Sequence, residues 1–214
     1  MGRQKNIHVV LFGIFLLSGA CLNLKKPQNK IEFYTLEYES PQITGHNPLP
    51  FAVRVEGFGV APAYDTHRII YREGSFQRDS YVYHRWRANP ADMVTYFLRR
   101  DIRQSGLFKA VLPRDSGFPS SHVIEGTVDE FFESDSGETW EAVLALSVVL
   151  MAENEPDVSR RILFQKTYRT TKPCNHKHPV ALAGAMSQAM GEISSQIIKD
   201  VYDRLKDSHR KKVS

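Results

Sequence analysis

This 214-residue chain contains only two cysteines, Cys21 and Cys174, too few for the disulfide framework that holds small exported domains together. The apolar run near its start, Val9–Leu17, falls well short of the roughly 18 residues a membrane-spanning helix needs. There is no glycine-rich phosphate loop, no G-x-S-x-G elbow, no H-E-x-x-H and no paired C-x-x-C. Those absences exclude the nucleotide-hydrolysing, α/β-hydrolase, zinc-peptidase and dithiol classes that depend on such spacings. Ser208 and Lys211 have S-x-x-K spacing but lie in a basic C-terminal run, where they carry no chemistry. Strong positive charge is missing too. The net charge is +4, which is not the electrostatic footprint of a nucleic-acid binder. Hydrophobic residues make up 42%, so the chain is globular rather than disordered.

The first twenty-one residues carry the clearest signal. Arg3 and Lys5 precede Val9–Leu17, and the small residues Ser18-Gly19-Ala20 stand directly before Cys21. A cationic start, a short apolar core and a small-residue exit describe an export signal. With the cysteine in that place, residues 1–20 resemble a bacterial lipoprotein signal peptide, the leucine standing one place further back than usual. Cys21 then becomes the lipidated N-terminus. Ordinary secretory cleavage after Ala20 and an internal core cysteine are the other readings of the same residues. One acyl chain anchors only marginally, at about 0.8 kcal/mol per buried methylene; the several chains of a processed lipoprotein overcome that limit. Leu22 stands where an aspartate commonly retains Gram-negative lipoproteins at the inner membrane, so it resembles the outer-membrane default. Residues 21–30 are polar, include Pro27, and read as a tether.

From residue 31 the chain reads as one domain. Ile31–Tyr38 and Phe51–Glu56 have strand composition, with a loop over Pro41–Pro50 between them. Gly57, Gly59 and Pro62 end the second strand. Arg68–Arg72 and Ser80–Trp86 read as a pair around Gly74-Ser75. Asn89-Pro90-Ala91-Asp92 predicts a helix start, Met93, Val94, Phe97, Leu98 and Ile102 form its apolar stripe, and Gly106 is its stop. Lys109–Pro113, Val123–Glu133, Thr139–Ala152 and Arg161–Arg169 follow as strands. The last three are read as a meander, with a tight turn at Ser134–Gly137 and strict in-out alternation along Thr139–Ala152. Pro179 opens a terminal helix with the stripe Leu182, Met186, Ala189, Ile193, Ile197, Val201, Leu205, and residues 206–214 read as a frayed basic tail.

Charge is distributed unevenly. Asp115–Asp157 contains acids but no Lys or Arg, whereas Arg68–Arg103 holds eight arginines interleaved with Tyr71, Tyr81, Tyr83 and Trp86. Such asymmetry marks either two solvated faces of one domain or a docking surface. The acids are expected on turns and on the exposed sheet face. Cys174-Asn175-His176-Lys177-His178 is the one metal-like cluster; two histidines one residue apart do not make a closed zinc site, and the segment is expected to cap the terminal helix. No metal, cofactor or catalytic residue is assigned.

Taken in order, Phe33-Tyr34-Thr35-Leu36, Val60–Asp65, Ile69–Arg72, Tyr83-His84-Arg85-Trp86 running into Asn89-Pro90, Ser105–Phe108, Val123–Phe132 and Ala185-Met186-Ser187 resemble the ABC-type transport auxiliary lipoprotein family, the PqiC-like proteins. The resemblance covers roughly residues 31–205. It implies a single α/β domain, a mixed, largely antiparallel sheet with two main helices packed on it, similar to the TolB N-terminal domain. It implies a non-catalytic lipoprotein at the outer membrane, facing the periplasm beside an ABC permease, its ATPase and a mammalian-cell-entry (MCE) domain protein that moves lipids. A homo-oligomeric ring is a further implication. Arg72, Arg85 and Trp86 are the candidate interface residues; the alternative for Trp86 is the core. A lipoprotein scaffold or activator of a cell-envelope enzyme complex is the second functional reading.

Overall fold

The computed structural model describes residues 30–213, with side chains through Arg210. The signal segment, Cys21 and the tether up to Asn29 lie outside the described residues. Nine strands form one sheet: β1 (Glu32–Tyr34), β2 (Leu49–Val55), β3 (Gly59–Val60), β4 (Arg68–Arg72), β5 (Asp79–Trp86), β6 (Phe108–Pro113), β7 (His122–Asp135), β8 (Trp140–Ala152) and β9 (Ile162–Pro173). Three α-helices accompany them, α1 (Pro90–Gln104), the single-turn α2 (Val158–Arg161) and α3 (Pro179–Val213).

β7 is the spine. Along one edge it takes β2, β3 and β4 in succession, all parallel to it, at Val53–Val55, Gly59–Val60 and Tyr71–Arg72. Along its other edge it pairs antiparallel with β8 over nearly its full length, and β8 pairs with β9 in the same way. β5 returns antiparallel to β4, and β1 and β6 join as parallel outer strands on β5 and β2. The sheet is mixed, as expected, and its longest ladders are antiparallel. Five of its eight pairings are nonetheless parallel, because the loops and helices between elements act as crossovers.

Local chemistry explains both main helices. The Asn89 side chain accepts a hydrogen bond from the Ala91 amide (3.0 Å), Pro90 occupies the first turn, and Gly106 past the end takes φ +66°. All five stripe residues of α1 are buried. In α3 the whole stripe from Leu182 to Leu205 is buried, and the helix packs on β8 and β9 while also touching β1, β2 and α1. The Nδ1 of His178 lies 3.2 Å from the Val180 amide, so the segment before Pro179 does cap the helix.

The structure corrects several local expectations. β1 is three residues long, and Leu36 beyond it is buried without being part of a strand. β2 begins at Leu49, inside the expected loop, and Gly59-Val60 forms a strand where a break was expected. The helix α3 continues to Val213 through the segment read as a frayed tail. Strict alternation fails in β8, where Ala142–Leu146 are all buried. The sheet curls, with a bulge in β7 between Val128 and Glu130, and a bulge bends a strand and increases its twist. Glycine is obligatory at Gly126: a Cβ there would stand 2.4 Å from the Ser147 carbonyl oxygen and 2.6 Å from the Phe58 ring.

Candidate functional site

β5 carries two of the three sequence-predicted residues, and the fold separates them. Trp86, at its end, is 1% exposed and meets Phe131 edge-on at 5.2 Å between ring centroids. It is core, so its reading as a surface contact is corrected: the tertiary fold closes over the last residue of β5. Arg85 points elsewhere and is half-buried, with its Nε enclosed and without a hydrogen-bond partner among the described residues. Arg68 stands opposite it on β4. Arg72, the third, is half-buried at the end of β4. Its guanidinium lies over the Phe132 ring at 4.9 Å, and its Nη2 is 3.4 Å from the Ser134 hydroxyl.

None of the three lines the open cavity of about 430 Å³ formed by their chain neighbours Tyr71 and His84 with Tyr81, Asp135 and Lys177 among others. The pairings bring them together: β4, β5 and the C-terminal end of β7 meet here, and Lys177 reaches in from the segment before α3. The acids contradict the expectation of exposed charge. Glu133 and Asp135 are 3% and 5% exposed. Asp135 accepts from the Lys177 ammonium at 2.5 Å and from the Gly137 amide at 2.8 Å. Burial alone would raise the Asp135 pKa, but these donors outweigh it and hold the carboxyl below its ordinary range. Glu133 accepts from the Tyr81 hydroxyl, at 3.0 and 3.2 Å to its two oxygens. Burial, reinforced by Asp135, pushes its pKa up against the opposing pull of Tyr81 and Lys177. Burial and then the Glu133 charge raise the Tyr81 phenol.

A buried acid that binds its proton more tightly when folded makes stability fall as pH rises through its pKa, from the ordinary value near 4.5 upward. Glu133→Gln is therefore expected to match the wild type in urea unfolding at pH 4 and to exceed it at pH 8. A stability difference between the two proteins that is the same at both pH values would contradict that assignment.

Cys174 is half-buried, and burial, with Glu133 adding to it, raises its thiol to about 11. A thiol held in that state is a poor nucleophile. The rings of His84 and His178 are 6.4 Å apart, and those of His176 and His178 6.1 Å. Among the described residues no group of three or more His, Cys, Asp or Glu side chains is arranged to hold a metal. The tyrosine and carboxylate partners were missed in the sequence, because Tyr81 and Glu133 are 52 residues apart and only the β4–β5 and β4–β7 pairings bring them together.

The mixed curled sheet, the two long packed helices and the polar groups held in structural pairs define a small single-domain α/β protein. Residues 34–198 match the ABC-type transport auxiliary lipoprotein component family, and the chain belongs to that family. The fold is similar to that of protein XCC0632 from Xanthomonas campestris, a crystal structure assigned to family DUF330. The two share 18% identity with a TM-score of 0.74, covering 84% of this chain and 99% of that one. A second crystal structure, of an uncharacterised protein, gives 12% identity and a TM-score of 0.62, covering 80% and 99%. No curated protein sequence matches the chain.

Proposed function

We propose that this protein is a non-catalytic lipoprotein, anchored through Cys21 to the outer membrane and facing the periplasm, that serves as the docking component of an ABC-driven, MCE-type lipid transport system. The observation that carries the reading is the family match across residues 34–198 behind a signal-like segment that ends at Cys21. Energy for transport then comes from an ATPase on another chain, in keeping with the lack of any phosphate loop in this sequence. Arg72 and Arg85 are the proposed contacts to an acidic partner surface. Like charges directly opposite each other across a strand pair are unfavourable, and Arg68 facing Arg85 makes that place receptive to an anion.

Two measurements test this. Affinity capture of the tagged full chain from solubilised envelopes should recover an MCE-domain protein with its permease and ATPase, and Arg72→Ala with Arg85→Ala should reduce that recovery. Capture of cell-wall synthases with no transporter subunit would overturn the assignment in favour of an enzyme scaffold. Separately, Cys21→Ala is expected to move essentially all of the protein from the membrane pellet to the soluble fraction, because it removes the thiol that carries the proposed lipid. Undiminished pelleting of the variant would contradict the anchor.

A further inference from the structure

The open cavity beside β5 has no part in the docking reading, since Arg72, Arg85 and Trp86 all lie outside its lining. Its walls are largely aromatic. The Tyr71 and Tyr81 rings, from neighbouring strands, stand 5.1 Å apart between centroids and are tilted by 58°. His84 meets Tyr81 nearly at right angles, at 5.7 Å. The volume of about 430 Å³ falls within the roughly 300–1,000 Å³ of small-molecule sites.

Around these rings the charge is negative. Glu73 and Asp135 line the cavity, Glu133 lies at the Tyr81 hydroxyl, and Asp79 stands opposite Tyr71 across the β4–β5 pair. Against these four carboxylates, Lys177 carries the one lasting positive charge among the described lining residues. That charge is already engaged: the Lys177 ammonium donates to Asp135 at 2.5 Å and lies 4.9 Å from the centre of the Trp140 ring. The protein thus holds one ammonium here with a carboxylate and an aromatic ring, and three acids are left over. Glu133 is 3% exposed, and its two oxygens share the single hydrogen of the Tyr81 hydroxyl. A carboxylate can accept about four hydrogen bonds, and a buried one without a paired cation is costly. A phenol that donates to a carboxylate gains electron density in its ring, and the negative face of a ring attracts cations. The Glu133 charge therefore reaches the cavity through Tyr81.

We infer that this cavity binds a small organic cation, an alkylammonium or methylated ammonium group, with Tyr71 and Tyr81 against its carbon atoms and Glu73 and Asp135 answering its charge. Rings combined with carboxylates suit such a group better than a bare metal ion. Aromatic carbon offers a metal no ligand, and no three His, Cys, Asp or Glu side chains among the described residues are arranged to hold one. The four acids disfavour an anion, and a neutral apolar group would leave them unanswered. The ammonium can belong to a lipid headgroup or to a free amine, since both present the same chemistry. The site shares no lining residue with the proposed contact at Arg72 and Arg85, so it stands or falls independently of the docking reading.

The test is calorimetric titration of the full chain with choline chloride, in an uncharged maltoside detergent at constant salt. Choline should bind saturably, and its neutral tert-butyl analogue should bind at least about tenfold more weakly. Tyr71→Leu should weaken choline binding. Glu73→Lys tests the same site in the exposed turn after β4, without touching a half-buried ring, and should weaken it by about tenfold or more at an unchanged unfolding temperature. Glu125→Lys, at an exposed position of β7 outside this lining, should leave it unchanged. Glycerophosphocholine bound as tightly as choline, or tighter, assigns the cation to a lipid headgroup; weaker binding assigns it to a free amine, and either result supports the site. Equal affinity for choline and the neutral analogue overturns the inference. So does undiminished binding by Glu73→Lys, an equal loss in Glu125→Lys, or the absence of saturable binding.

Discussion

Trp86→Ala is expected to cost about 3–5 kcal/mol, the range for deleting a large aromatic from a packed core. Trp86 is 1% exposed, the largest of the fully buried side chains, and meets the equally buried Phe131. Its backbone amide also donates to the His67 carbonyl at 2.7 Å, so it closes the end of β5 against the segment leading into β4. Domains are stable by only about 5–15 kcal/mol, and a fall of this size corresponds to a melting temperature lower by roughly 6–20 °C for a chain of this length. Thermal unfolding of the full chain measures it. A loss below about 1 kcal/mol would mean that Trp86 is not closely packed. Any loss of partner binding in Trp86→Ala therefore reports stability, whereas Arg72→Ala and Arg85→Ala report the proposed interface.

The second large effect is expected at Asp101, which is completely buried on α1. Its Oδ2 accepts from the Tyr38 hydroxyl at 2.6 Å. Its Oδ1 accepts from the Ser40 hydroxyl at 2.6 Å and from Arg100 at 2.7 and 2.9 Å. The Arg100 guanidinium also lies over the Tyr38 and Phe97 rings, at 4.4 and 4.7 Å. Burial and then the Asp101 charge push the Tyr38 phenol well above its ordinary range, so that hydroxyl stays a donor at any physiological pH. Asp101→Ala removes the shared acceptor and leaves Arg100 and two hydroxyls enclosed without it. Breaking a buried pair from one side costs about 3–5 kcal/mol. Tyr38→Phe alone should cost about 1 kcal/mol, the usual net value of one hydrogen bond, and the double variant should show coupling between the two. Strict additivity would mean that the network does not act as a unit. This carboxylate pins the strandless segment around Tyr38 and Ser40 to α1, and so fixes the path by which the chain leaves β1.

Elements with strong local signals were legible. Asn89, Pro90 and Gly106 mark α1 because capping and a left-handed stop depend on adjacent residues. The stripe of α3 follows from the 3.6-residue period alone, and the β7–β8–β9 meander from strand composition and a turn at Gly137, which takes φ +83°. The alternation expected of β8 was misleading, since that rule holds only where one face of a sheet meets water. Asp101 looked like an ordinary polar position near the end of a helix. Its burial comes from Tyr38 and Ser40, more than sixty residues away. Glu133 and Asp135 looked like solvated charge for the same reason: Tyr81 and Lys177 become their neighbours only in the folded sheet.

From the sequence alone, then, came what adjacent residues control: the two capped helices, the terminal meander, the mixed α/β class and the family resemblance. The tertiary structure decided what depends on contacts between distant segments. It determined that Trp86 is core while Arg72 and Arg85 stay partly exposed, and that the acids beneath the cavity are buried and paired. It also determined that β1 runs parallel to β5, with Phe76 left unburied between β4 and β5. The physical reason is common to all of these. Burial and strand register depend on which remote strand lies alongside, and a residue's own neighbours in sequence do not encode that choice.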